Sequence, residues 1–136
     1  MSEENKVKLR RVFKEVWHKG NLKVLDKIVA PDVIIHTAPP GAPPTLEGVK
    51  QMTAAILNAF SERQANLEDL IAEGDKVVER WSFSGQHTGE FMGLPPTHKQ
   101  VTFSGISIMR IVGAKVVEEW DQVDALGMMQ QLGLVP

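Results

Sequence analysis

Apolar positions along the first thirty residues recur at helical spacing. Val7, Leu9, Val12, Phe13, Val16 and Trp17 form one set, Leu22, Val24, Leu25, Ile28 and Val29 a second, and Gly20-Asn21 separates them. Two helices with a break are expected. Pro31 stops the second helix, and the β-branched run DVIIH predicts a short buried strand ending at His36. The next stretch, TAPPGAPPTLEG, holds four prolines that fix φ and two glycines that supply turns, so a stiff loop follows. From Leu46 to Phe60 the helical period returns, with Val49, Met52, Ile56, Leu57 and Phe60 on one side. After Arg63 the period shortens to two. LEDLIAE and KVVERWSFSGQH read as strands joined by a turn at Glu73-Gly74-Asp75. EFMGLPPTHKQ breaks all periodicity, VTFSGISIMRIV resumes it, Gly113-Ala114 marks a tight hairpin turn, and AKVVEEWDQVD returns before a terminal helix, ALGMMQQLGL.

Helices first, one short strand, another helix and then a run of antiparallel strands predict an α+β fold. Its helices lie on one face of a strongly curved, mostly antiparallel sheet, and residues 1–136 make a single domain. A curved sheet that cannot close on itself leaves a space beneath its helices, and such spaces bind small ligands.

Composition narrows the ligand. A net charge of −2 offers nothing to phosphate backbones or anionic lipid, which argues against nucleic acid as a partner. With no cysteine, disulfides, thiolate metal sites and thiol catalysis are excluded. The charged N-terminus MSEENKVKLRRVFKEVW is no apolar leader, and no run approaches the roughly 20 apolar residues of a membrane span, so a cytoplasmic protein is expected. The four histidines show no HxH or HxxxH spacing, and no metal is expected. Neither glycine-rich phosphate loops nor a GxSxG elbow occurs, so acid–base chemistry without a cofactor is the remaining enzymatic option.

The acid-rich stretch VVEEWDQVD, residues 116–124, carries the best candidate for it. Period two puts Val117, Glu119, Asp121 and Val123 on one face and Val116, Glu118, Trp120, Gln122 and Asp124 on the other. In a hairpin turning at Gly113-Ala114, Asp121 falls opposite Ile106 and Glu119 opposite Ile108. An apolar neighbour raises a carboxyl's pKa towards the range useful for proton transfer, whereas a solvated strand residue would stay ionised. Asp124 suits the N-cap of the last helix. His36 and His87 each end a strand beside a glycine- or proline-rich loop and could meet at one cavity mouth, or each could bond a loop carbonyl. Arg80, inside an apolar strand, needs an acid or an anionic ligand if buried; period two separates it from Trp81 and Phe83 and would otherwise leave it in solvent. Trp17, Arg80, Phe91, Met92 and Ile106 complete the candidate substrate contacts.

Three blocks, IIHTAPPGAPPTLEGVK, GQHTGEFMGLPPTHKQVTFSGISIMRI and AKVVEEWDQVDALGMMQQLG, together resemble the SnoaL-like polyketide cyclases, also called ester cyclases. HTGEFMGLPPT is the most specific part. The resemblance implies the cone-shaped fold of nuclear transport factor two and intramolecular aldol-type ring closure with neither metal nor organic cofactor. It implies that Asp121 is the aspartate that takes and returns the proton, with His36 and His87 matching recurrent positions that orient or polarise the substrate. The family can place a histidine on the strand beside the aspartate, but SGISIMR, residues 104–110, has none. The same fold also hosts isomerases, hydratases and non-catalytic binders, and these stay open as alternatives. A homodimer is expected through the outer sheet face, where Trp120, Met109 and Phe103 would form an apolar patch opposite Asp121 and Ile106.

Overall fold

The computed structural model describes residues 2–38 and 41–136, so Pro39 and Pro40 of the proline-rich loop lie outside the described residues. Helix α1, Ser2–Val12, continues directly into a π-helical turn, Phe13–His18, and α2 is Lys23–Ile28. Then follow β1 (Val29–Ile35), α3 (Leu46–Ala59), β2 (Phe60–Glu73), β3 (Lys76–His87), β4 (Gln100–Val112), β5 (Lys115–Val123) and α4 (Ala125–Leu132). The strands form one sheet in the order β1-β5-β4-β3-β2, with β1 parallel to β5 and every other pair antiparallel.

Strand β2 begins seven residues before the expected Leu67. Its pairing with β3 shifts between Ser61 and Gln64 and again between Leu67 and Asp69, and these irregularities break the alternation a regular strand would show. Bulges of this kind also bend a strand, which suits the curved sheet. At the sharp β4–β5 hairpin Gly113 and Ala114 both have positive φ, 59° and 69°, as a two-residue turn matching the strand twist requires.

A further bulge, in β5, changes the site. Val112 pairs with Lys115 and Ile111 with Val116, but Arg110 pairs with Glu118, so Val117 is the extra residue. Every later pair on β5 is displaced by one from the expected register: Asp121 lies opposite Ser107, not Ile106, and Glu119 opposite Met109, not Ile108. A one-residue slip exchanges the faces of the partner strand. Ser107, Met109 and Phe103 therefore point under the helices and are buried, while Ile106 and Ile108 face outward. The expected outer patch of Trp120, Met109 and Phe103 is corrected accordingly: Trp120 remains outside, joined there by Ile106 and Ile108.

Two buried clusters fill the concave side. Leu9, Val16, Leu25, Ile28 and Val33 pack on Val77, Met109, Ile111 and Val116 at one end. At the other, Phe60 touches Phe83, Phe91 and Phe103 at ring separations of 5.9, 5.4 and 6.4 Å, with Met128 and Leu132 of α4 alongside. Asp124 caps α4 by accepting the Gly127 N–H at 3.0 Å. Among the described residues no helix is long and apolar enough to cross a membrane.

Candidate active site

Between the sheet and the helices lies a cavity of about 580 Å³ to which both clusters contribute. Alternation along β3 turns Val77, Glu79, Trp81 and Phe83 inward, and β4 adds Phe103, Ser107 and Met109. The bulge at Val117 lets Val116 share a face with Glu119, Asp121 and Val123. The π-helical turn, which takes an extra residue per turn, presents Phe13, Val16 and Trp17 to the same space. Gly105 leaves the room that Trp81 occupies, since a Cβ there would collide with the indole.

The polar groups of this cavity are few and acidic. Parallel pairing of β1 with β5 brings Thr37 beside Asp121: the Thr37 hydroxyl donates to Asp121 Oδ2 at 3.3 Å and accepts the Asp121 backbone N–H at 3.1 Å. Trp81 Nε1 donates to Ser107 Oγ at 3.1 Å. Burial, and then the charge of Asp121, push Glu79 from 4.5 up to about 8. Glu119 is also pushed well above the usual carboxylate range, by burial first, then by Asp121 as a charge and as a hydrogen-bond partner, then by Glu79. Three carboxyl groups thus share one apolar chamber, and among the described residues no Lys, Arg or His lines it. Nor is any group of three or more His, Asp or Glu among them placed to hold a metal ion.

Of the residues singled out in the sequence, Asp121, Trp17, Phe91 and Met92 lie on the cavity wall. Phe91 and Leu94 bond each other's backbones across Met92-Gly93, a tight turn with both φ positive, which seats Phe91 inside and Met92 at the rim. The other four do not reach the cavity. His36 is outside, its ring stacked on Trp120 at 4.8 Å and its Nε2 2.6 Å from Glu118 Oε2, because Trp120 and Glu118 lie on the convex side of β5. That bond, and then one from Arg110, hold the Glu118 carboxyl below its usual range. His87 is fully buried behind Phe60; its Nδ1 accepts the Thr97 N–H at 3.1 Å, so it anchors the loop before β4. Arg80 donates to Asp69 Oδ2 at 2.6 Å on the outer surface. Ile106 is 47% exposed there, as the register dictates.

Glu79 escaped the reading of the sequence although its signal was present: it alternates with Val77, Trp81 and Phe83, all inward. Ser107 could not be found that way, since the bulge alone puts it opposite Asp121.

A curved sheet and helices enclosing an apolar chamber with a few convergent polar groups define a small-molecule site of the cone-shaped α+β class. The chain belongs to the SnoaL-like polyketide cyclase family, whose pattern it matches over residues 7–132. It is 28% identical over 127 residues to the nogalonic acid methyl ester cyclase of Streptomyces nogalater, spanning 86% of this chain and 89% of that protein. With the aklanonic acid methyl ester cyclase DnrD of Streptomyces peucetius it shares 35% identity over 95 residues, 66% of this chain and 65% of that one. Among solved structures, IdmH of Streptomyces antibioticus superposes with a TM-score of 0.80 at 31% identity, covering 95% and 98% of the two chains. TsrD of Streptomyces laurentii gives 0.83 at 25% identity, covering 95% and 97%.

Proposed function

We propose that the protein is a cyclase that closes a ring in a hydrophobic, carbonyl-bearing ester of the polyketide type, with Asp121 as the base that removes a proton α to a carbonyl. The supporting observation is the carboxyl group of Asp121, held by Thr37 on the wall of an apolar chamber to which none of the described residues brings a cation. A substrate carrying its own carboxylate would find only acids there, so a neutral ester is the form that fits. The relatives whose names specify methyl esters point the same way.

In the reaction, Asp121 accepts the α-proton and the C–H electron pair becomes an enolate. The enolate carbon then bonds to a second carbonyl of the same molecule, and the proton returns from Asp121 to the new alkoxide oxygen. Proton transfers alone suffice, so no cofactor takes part in this reading. The chamber's aromatic lining, from Phe13, Trp17, Trp81, Phe83, Phe91 and Phe103, suits flat fused rings. A homodimer joined through the convex sheet face, in a cytoplasmic protein, belongs to the same proposal; Ile34, Ile71, Ile106 and Ile108 are exposed on the sheet, with Ile108 directly opposite Trp120.

The test is turnover of nogalonic and aklanonic acid methyl esters as trial substrates. Asp121→Asn should lower kcat by about 10²- to 10⁴-fold, the usual contribution of a general base, while binding persists. Unchanged turnover in that variant would remove Asp121 from the chemistry.

A further inference from the structure

Glu79, Ser107 and Asp121 occupy one row across three neighbouring strands: Glu79 pairs with Ser107, and Ser107 with Asp121. All three point into the chamber. Strand spacing sets the backbones of the two acids about 10 Å apart, with the small Ser107, which accepts the Trp81 indole N–H at 3.1 Å, between them. Glu79 is only 9% exposed, and its side chain lines the chamber rather than the protein's outer surface.

We propose that Glu79 is the acid that binds the substrate's carbonyl oxygen and protonates it while Asp121 removes the α-proton. This rests on the ring-closing reaction above and adds to it the group that receives the developing negative charge. Among the described residues, the charged or titratable groups facing Glu79 are Asp121 and Glu119 of β5, both acids, and the helices and β1 present no Lys, Arg or His to the chamber. An ionised Asp121 therefore makes a second ionisation unfavourable, and burial acts in the same direction, so near neutral pH Glu79 keeps its proton. Environments that separate two carboxyls in this way sort one into base and the other into acid.

The exchange balances. As Asp121 takes the proton from carbon, the C–H pair forms the enol double bond and the carbonyl oxygen takes the proton of Glu79. During ring closure the enol returns that proton to Glu79, the new carbon–carbon bond forms, and the second carbonyl's oxygen takes the proton held by Asp121. No oxidant or reductant is needed.

The test uses 9-fluorenone, a neutral fused-ring ketone, as a probe bound to the full-length protein, with its carbonyl stretch read by infrared difference spectroscopy. At pH 6 the stretch should move to lower frequency than in a hydrocarbon solvent, as a hydrogen bond to oxygen demands. The displacement should vanish in Glu79→Leu, return in Glu79→Gln whose amide can still donate, and persist in Ser107→Ala and Asp121→Asn. In the wild type it should collapse at or above about pH 8 as Glu79 ionises, whereas the Glu79→Gln displacement should not change with pH. Bound fluorenone with the same frequency in wild type and Glu79→Leu overturns the assignment of Glu79 and leaves Asp121 untouched. If Glu79→Leu does not fold, a wild-type displacement that survives to pH 10 overturns it equally. Failure of fluorenone to quench the cavity tryptophans refutes the neutral-carbonyl site itself, and the assignment with it.

Discussion

Between pH 5 and pH 8 the protein should lose stability as pH rises, and Glu79→Gln should remove much of that loss. The folded-state pKa of Glu79 is raised from 4.5 to about 8, so below 4.5 the group is protonated in both states and contributes nothing. Between the two values the unfolded chain releases the proton and the folded chain keeps it. Stability then falls by about 1.36 kcal/mol for each pH unit, and the fall stops above the folded value. By pH 7 the cost is about 3 kcal/mol, a large share of the 5–15 kcal/mol typical of a domain. Glu119 acts in the same direction and remains in the variant. Glu118, held low by His36 and Arg110, has the opposite sign; its contribution is lost only as pH falls below the ordinary carboxylate range, outside this window. Urea midpoints of wild type and Glu79→Gln at pH 5, 6, 7 and 8 would measure the effect. With m-values of about 1–3 kcal/mol per molar, the gap between the two midpoints should widen by about 1–3 M from pH 5 to pH 7. The amide's own contacts add an offset that does not change with pH. Parallel curves for the two proteins would refute a buried, proton-holding Glu79.

Two further outcomes concern packing and assembly. The wild type should sediment as a dimer at micromolar concentration, burying about 1,200 Å² or more, and Trp120→Glu should sediment as a monomer; a monomeric wild type dismisses the dimer, and a dimeric variant removes Trp120 from its interface. Gly105→Ala puts a methyl group against the Trp81 indole and 2.8 Å from the Gln122 carbonyl oxygen, which should cost about 1–3 kcal/mol and pull the indole from Ser107. A thermal midpoint and tryptophan emission both identical to wild type would contradict the close fit of Trp81 into that space.

The amino-acid sequence by itself determined the elements and, within single strands, their faces. Helical and twofold periods are local, so the break at Gly20-Asn21, the turns at Gly74 and Gly113, the cap at Asp124 and the inward position of Trp81 and Phe83 were all legible. The motif blocks added the family, and with it the aspartate to examine. Tertiary structure decided whatever depends on how one strand meets another. A bulge at Val117 adds one residue to one side of a hairpin, and nothing in VVEEW announces it. It moves Ser107 opposite Asp121, turns Met109 and Phe103 into the core, and sends Ile106 outside. His36 follows a strand whose last residues pair with Glu118 and Glu119, and its ring settled on the convex side; His87 went behind Phe60 because an aromatic cluster from four separate segments closes there. Period two can state that Glu79 shares a face with apolar neighbours, but only the enclosing helices and the nearby Asp121 turn that position into a site where a carboxyl keeps its proton. Desolvation and charge proximity are sums over residues distant in sequence, and no local pattern contains them.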